Sequence, residues 1–251
     1  MAKHSEWSIN NLHMSDAPRI LFEDDDLLLI NKPSGWFVHP PENPRYRRGL
    51  RRRTCTQWLQ DVHGKKAFPA HRIDAATEGL FICGKNRAAT AHLNLQFKNH
   101  ETVKLYQAAV RGWLAEDSGR IEIPLLNNTS GELAACETHF RVLAKIEHPY
   151  QVSKKFATSR YSLLDVSPRT GRWHQIRRHM NRVSHPIIGD REHGDSHHNR
   201  YFRDTLGIDG LCLWAKELRL THPVSGEKMK FISPASERWL QLTELFNIEP
   251  S

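Results

Sequence analysis

Cysteine is scarce in this chain, and the four it has, Cys55, Cys83, Cys136 and Cys212, stand far apart with no Cys-x-x-Cys among them. That spacing matches no zinc ribbon and gives no disulfide framework, so the thiols are expected to be reduced and packed as small hydrophobes. Long apolar runs are missing too. Nothing approaches the ~20 residues that cross a bilayer, and MAKHSEWSINNLHMSDAP at the N-terminus lacks the apolar stretch of an export signal. Acid is in the minority, with 28 Asp and Glu against 36 Lys and Arg, for a net charge of +8 before any of the 16 histidines is protonated. The Gly-x-Ser-x-Gly, His-Glu-x-x-His and Gly-x-Gly-x-x-Gly patterns of acyl hydrolases, zinc peptidases and dinucleotide enzymes do not occur. What remains is the expectation of a soluble, cytoplasmic protein whose partner is a polyanion.

Hydrophobic periodicity predicts one α+β domain. Residues 1–17 are polar and patternless and read as a flexible tail, which leaves 18–251 as the folded unit. RILFEDDDLLLINKP sets two apolar runs around Asp24, Asp25 and Asp26, the pattern of a hairpin. In TCTQWLQDVHG, Thr54 is the expected N-cap of a helix and Gly64 its stop; Asn86 is the expected cap of NRAATAHLNLQFKNH, where Ala89, Leu93 and Phe97 share a face. Strands are expected around 103–110, 120–124, 136–146, 161–166 and 211–220. WHQIRRHMNRV is a strongly basic helix, and ASERWLQLTELF is the last one. Strands outnumber helices, so the expected architecture is a mixed, largely antiparallel sheet flanked by helices.

Several polar stretches need a reason. RYRRGLRRR holds six arginines in nine residues without apolar periodicity, a solvated loop suited to phosphates. Gly79 to Asn86 has the spacing of a phosphate loop, but Asn86 stands where a magnesium-binding hydroxyl belongs and an apolar strand fills the middle. His185, Asp190, His193, Asp195, His197 and His198 crowd together, yet their spacing matches no ligand pattern, and the segment reads as a basic, histidine-rich loop with no metal. HRIDAATEGL, residues 71–80, places Arg72, Asp74 and Glu78 in a short turn between the apolar AFPA and LFICG. Taken alone, Asp74 would cap a turn and Arg72 would neutralise it.

HRIDAATEGL does not stand alone. Together with NKPSGWFVHP, KLYQAAVRG, TGRWHQIRRHM and SHPIIGD, in that family's order over Pro18 to Pro234, it resembles the RluA-type pseudouridine synthases. The resemblance implies the pseudouridine synthase fold and a cofactor-free isomerase acting on RNA. It implies Asp74 as the catalytic aspartate, Arg72 as the residue inserted into the RNA, Tyr106 as the active-site tyrosine and Arg177 as the supporting arginine. The chemistry agrees: breaking a C–N glycosidic bond and rejoining uracil through C5 needs a nucleophile that stays ionised in a dry pocket, and a guanidinium beside it keeps it so. Lys32, Lys104, Arg172, His174 and Arg178 are candidates for phosphate contacts. RRHMNRVSHPIIGDREHGDSHHNRYF and GLCLWAKELRLTHPVSGE resemble the branch that modifies uridine 65 of tRNA. The competing readings are a family member acting on ribosomal RNA and a non-catalytic basic RNA-binding protein of the same fold; a monomer is expected. Glu78 replaces the Ser or Thr usual in the family, and a second carboxylate there raises the pKa of Asp74 unless it points away or meets a cation.

Overall fold

The computed structural model describes residues 17–40, 54–127, 130–152 and 156–249, so the arginine run and all but the last residue of the N-terminal tail lie outside it. Between β1 (Arg19–Glu23) and β2 (Leu27–Lys32) the chain reverses on Asp24, whose Oδ1 accepts from the amides of Asp26 and Leu27 at 2.8 and 2.7 Å. This is the expected hairpin, closed by an Asp turn. Helix α1 (Cys55–His63) starts where the Thr54 hydroxyl accepts from the Gln57 amide and stops at Gly64 in the left-handed conformation. β3 (Phe68–Pro69) and β4 (Glu78–Gly84) bracket the HRIDAAT turn, and Asn86 caps α2 (Arg87–Lys98) through the Ala89 amide. The remaining order is β5 (Val103–Arg111), β6 (Ser118–Ile121), β7 (Leu125–Leu126), β8 (Leu133–Ala134), β9 (Thr138–His148), β10 (Ser159–Pro168), α3 (Gln175–Arg182), α4 (Ser196–Asp204), β11 (Leu213–Thr221), β12 (Lys228–Ile232) and α5 (Glu237–Leu245).

The main sheet runs β1-β2-β4-β11-β5-β10-β9-β6, with β12 also on β11 and β3 also on β4; β7 and β8 form a separate pair. β4 and β11 are parallel, through Glu78↔Trp214 and Gly79↔Ala215, and the other strand pairs described are antiparallel. The sheet is therefore mixed and largely antiparallel. Every residue of β4 is buried because α1 and α2 cover its opposite faces: Phe81 and Cys83 pack with Cys55 and Leu59, while Leu80 and Ile82 pack with Leu93. A larger cluster joins β5, β10 and β11 to α3, α4 and α5 through residues such as Val110, Leu164, Met180, Phe202 and Trp239. All four cysteines are free and buried.

Two sequence expectations are corrected by the structure. The segment expected to be a solvated histidine-rich loop contains α4, capped by Asp195, with His198, Tyr201 and Phe202 buried. The polar histidine is not solvated: His198 Nδ1 meets the Tyr161 hydroxyl at 2.9 Å, and Tyr201 meets His148 Nδ1 at 3.0 Å. A buried histidine satisfied by a tyrosine behaves as a core residue, which is why counting it as polar hid the helix. The strand expected at 120–124 also ends early, at Ile121.

Candidate active site

The HRIDAAT turn is held in place by the NKPSG segment, which begins at the end of β2 and precedes α1 and β3 in the chain. Gly35 donates its amide to the Ala75 carbonyl at 2.7 Å, the Ser34 hydroxyl donates to the Ala76 carbonyl at 2.8 Å, and Lys32 Nζ donates to the Ala75 carbonyl at 3.0 Å. Within the turn, the Thr77 amide reaches the Asp74 carbonyl at 3.1 Å. NKPSG is thus a clamp on two consecutive carbonyls just after Asp74. His71, at the turn's entrance, accepts from the Ile82 amide and stacks on Phe97; burial drives its pKa down to about 3, so it is a neutral anchor. At the exit, Gly79 has φ +111° and an added Cβ would lie 2.3 Å from the Ala215 carbonyl oxygen, so only glycine permits the close β4–β11 pairing.

Asp74 faces α3. Its Oδ2 lies 3.4 Å from Arg177 Nη1 and 3.8 Å from His174 Nε2, and about a quarter of the side chain (26%) is open to solvent. Burial raises the Asp74 pKa above the ordinary 3.8, and Arg177, Lys32 and Arg72 oppose that rise without cancelling it. Arg177 is 3% exposed and is gripped first by Asp190, a residue with no solvent exposure in its side chain, through Nε–Oδ2 and Nη2–Oδ1 bonds of 2.7 Å each. Burial disfavours its charge, but the bonds to Asp190 outweigh that and hold it above the usual arginine range. Asp190 therefore aims Arg177, leaving Nη1 for Asp74 and for His174 Nε2 at 2.8 Å.

His174 sits in the left-handed conformation (φ 49°, ψ 32°) just before α3, and burial followed by the Arg177 charge lowers its pKa to about 3. It is neutral at working pH, and its side chain is 9% exposed. A charged phosphate contact, as expected from sequence, does not fit it. Nor does one fit Lys32, which has no solvent exposure and gives its ammonium to the carbonyls of Pro33 and Ala75 at 3.0 Å each. Burial pulls its pKa to about 8. Arg72 and Arg172 are exposed. Arg178 donates to the carbonyls of Leu126 and Trp173 at 3.1 and 3.3 Å, and Lys104 is partly buried, with its pKa lowered by that burial.

Tyr106 comes to the site through strand register. On β11, Ala215 pairs with Gly79 on one side and with Tyr106 on the other, so the tyrosine lies two strands from the exit of the HRIDAAT turn. That separation is about 10 Å between backbones, close enough for the Asp74 charge to act on the Tyr106 phenol. It packs against both the β4–α1 cluster and the larger cluster. Burial, then the Asp74 charge, pushes its phenol well above its ordinary range, so it stays protonated and is a donor.

Glu78 meets a cation. Arg238, from α5, binds Glu78 Oε1 through Nε at 3.1 Å and Nη2 at 2.5 Å, and donates Nη1 to the Asp209 carbonyl at 2.8 Å. The second carboxylate is thereby matched to its own arginine, and Arg177 remains with Asp74. Sequence reasoning did not single out Arg238, which lies 160 residues from Glu78, nor Asp190 as the partner of Arg177. The SHPIIGD motif was the available signal for the latter. Among the described residues, His174, Glu192 and His193 bring ligand-type atoms within 4.8 Å of one another. Arg177 touches both His174 and Glu192, and its fixed positive charge opposes a cation there.

Residues 26–182 match the family of RNA pseudouridylate synthases. The chain belongs to that family, and is an isomerase that converts uridine in RNA to pseudouridine. Among particular relatives, it is 37% identical over 238 residues to a protein of Pasteurella multocida named tRNA pseudouridine synthase C, covering 91% of this chain and 96% of the relative. A Vibrio cholerae protein of the same name is 36% identical over 242 residues, with 92% and 97% covered. The solved structure of human RNA pseudouridylate synthase domain containing 1 superposes with a TM-score of 0.69 at 21% identity, over 95% of this chain and 98% of that one. That likeness shows the fold. No described helix is long and apolar enough to cross a membrane.

Proposed function

We propose that this chain isomerises a uridine of tRNA, the one at position 65, using Asp74 as nucleophile, with residues 18–251 as its catalytic unit. The observation that carries the reading is the placement of Asp74: one oxygen against a buried arginine, most of the side chain covered, and a quarter of it open to solvent. Relatives named for tRNA that align over nine-tenths of the chain support the choice of RNA. The N1–C1′ bond of the target breaks, uracil turns, C5 joins C1′, the C5 hydrogen leaves as a proton and the freed N1 takes one up, so substrate and product have the same composition. The ionised carboxylate supplies the electron pair for the attack. A base in a stem must be flipped to reach it, and exposed Arg72 is the residue proposed to fill the gap. Tyr106 offers a ring for the uracil to lie on and a phenolic proton.

Tritium release from tRNA transcripts carrying 5-tritiated uridine tests this, with a ribosomal RNA fragment as control. Wild type is expected to release tritium from tRNA alone, D74A to bind without release, and a transcript with cytidine at position 65 to lose the signal. Release from the ribosomal fragment alone overturns the choice of RNA. Tight binding with no release from either RNA overturns catalysis.

A further inference from the structure

Asp74, Arg177 and Tyr106 leave one large aromatic beside the site without a task. Trp173 is 41% exposed, although indoles are among the side chains that gain most from burial. One of its faces is spent: it stacks on the His174 ring with centroids 3.7 Å apart and planes 17° apart, and an edge meets His193 at 5.9 Å. His174 in turn lies 3.8 Å from Asp74 and 2.8 Å from Arg177. The indole is thus one ring removed from the catalytic carboxylate.

The loop presenting it is fixed before any ligand arrives. Gln175 Oε1 accepts from the Thr170 hydroxyl at 2.7 Å and from the Arg172 amide at 3.0 Å, while its Nε2 holds the Glu137 carbonyl at 2.9 Å. The Arg178 guanidinium lies over the indole, its carbon 5.8 Å from the centroid and so beyond stacking contact, and Arg169 and Arg172 are exposed on the same loop as Trp173. An exposed aromatic on a loop that also carries exposed arginines suits one ligand chemistry: a flat π-face joined to a phosphate.

We propose that Trp173 stacks a nucleobase of the RNA next to the flipped uridine, with Arg172 on the adjoining phosphate, making this loop a second base-binding subsite. The inference rests on the functional reading above. Because the platform is preformed, it stabilises the bound RNA in ground state and transition state alike, and so acts on KM and not on kcat.

The test compares W173L, which keeps an apolar cover on His174, with W173F, which keeps an aromatic face. Steady-state tritium release gives kcat and KM. RNA affinity is read by fluorescence anisotropy of labelled tRNA on a D74A background, where turnover does not intervene. W173L is expected to raise KM and Kd about tenfold, the scale of one base–aromatic stack, with kcat and the acid midpoint of the pH profile unchanged; W173F recovers most of the loss. Wild-type KM and Kd in W173L overturn the proposal. So does a loss confined to kcat and the pH midpoint, which would make Trp173 a shield for His174. If wild type forms no product, the functional reading fails, and the anisotropy comparison still decides whether Trp173 holds RNA.

Discussion

The proposed attack needs Asp74 ionised, yet its surroundings resist the charge. With a pKa raised above 3.8 by burial, the folded chain binds this proton more readily than the unfolded chain does. Its favourable contribution to stability is therefore present below pH 3.8 and is lost as pH rises through the folded value. At neutral pH the ionised carboxylate is a strain on the fold, so D74N should abolish product while raising Tm, measured by thermal unfolding at pH 7. Activity has the opposite pH sense: kcat/KM should fall as pH drops through the same pKa. R177K, which cannot span Asp190 and Asp74 at once, should move that acid limb upward and lower kcat by about 100-fold, the scale of a misplaced catalytic contact. Lys32 makes a different residue-scale test. Its ammonium holds the Ala75 carbonyl from inside the protein, so K32M should lower kcat by roughly 10- to 100-fold while leaving RNA affinity and its salt dependence as in wild type.

At the scale of elements, the parallel join of β4 to β11 decides whether the turn and Tyr106 share a site. G79A puts a methyl group 2.3 Å from the Ala215 carbonyl oxygen and forces a positive φ on alanine; a loss of about 3 kcal/mol is expected from urea unfolding. The Glu78–Arg238 pair links β4 to α5 with both side chains largely buried (8% and 15% exposed). R238M should cost about 3–5 kcal/mol by stranding the carboxylate, and E78Q with R238M should recover most of it. That recovery, read as a double-mutant cycle, separates a charge effect from lost packing.

Across the whole molecule, the net charge of +8 favours any RNA, and the site decides which atoms react. Titrating labelled tRNA at increasing salt should give a linear log Kd against log salt, and R72A or R172A should each reduce the slope by about 1. K32M should leave it unchanged, because a buried ammonium releases no counterion. Tyr106 lies at the seam where two core clusters meet, so the packing that stabilises the fold also fixes the tyrosine two strands from Gly79.

Local pattern determined much of this protein. Thr54, Gly64 and Asn86 mark helix ends because the hydrogen bonds that cap a helix come from residues adjacent in sequence. The alternation at 103–110 and 161–166 marks strands for a similar reason, since a pleat repeats every second residue. The motif resemblance singled out Asp74, Tyr106 and Arg177, and the structure brings Asp74 and Arg177 to 3.4 Å across 103 residues of chain. Tertiary structure alone decided which charges face solvent. Lys32 and His174 look like phosphate contacts in a basic sequence, but burial is a property of what packs over a residue, and no local pattern reports it. It also decided where Glu78 finds its charge partner: Arg238 enters from a helix at the far end of the chain, and pairing at such separation exists only once the sheet has closed.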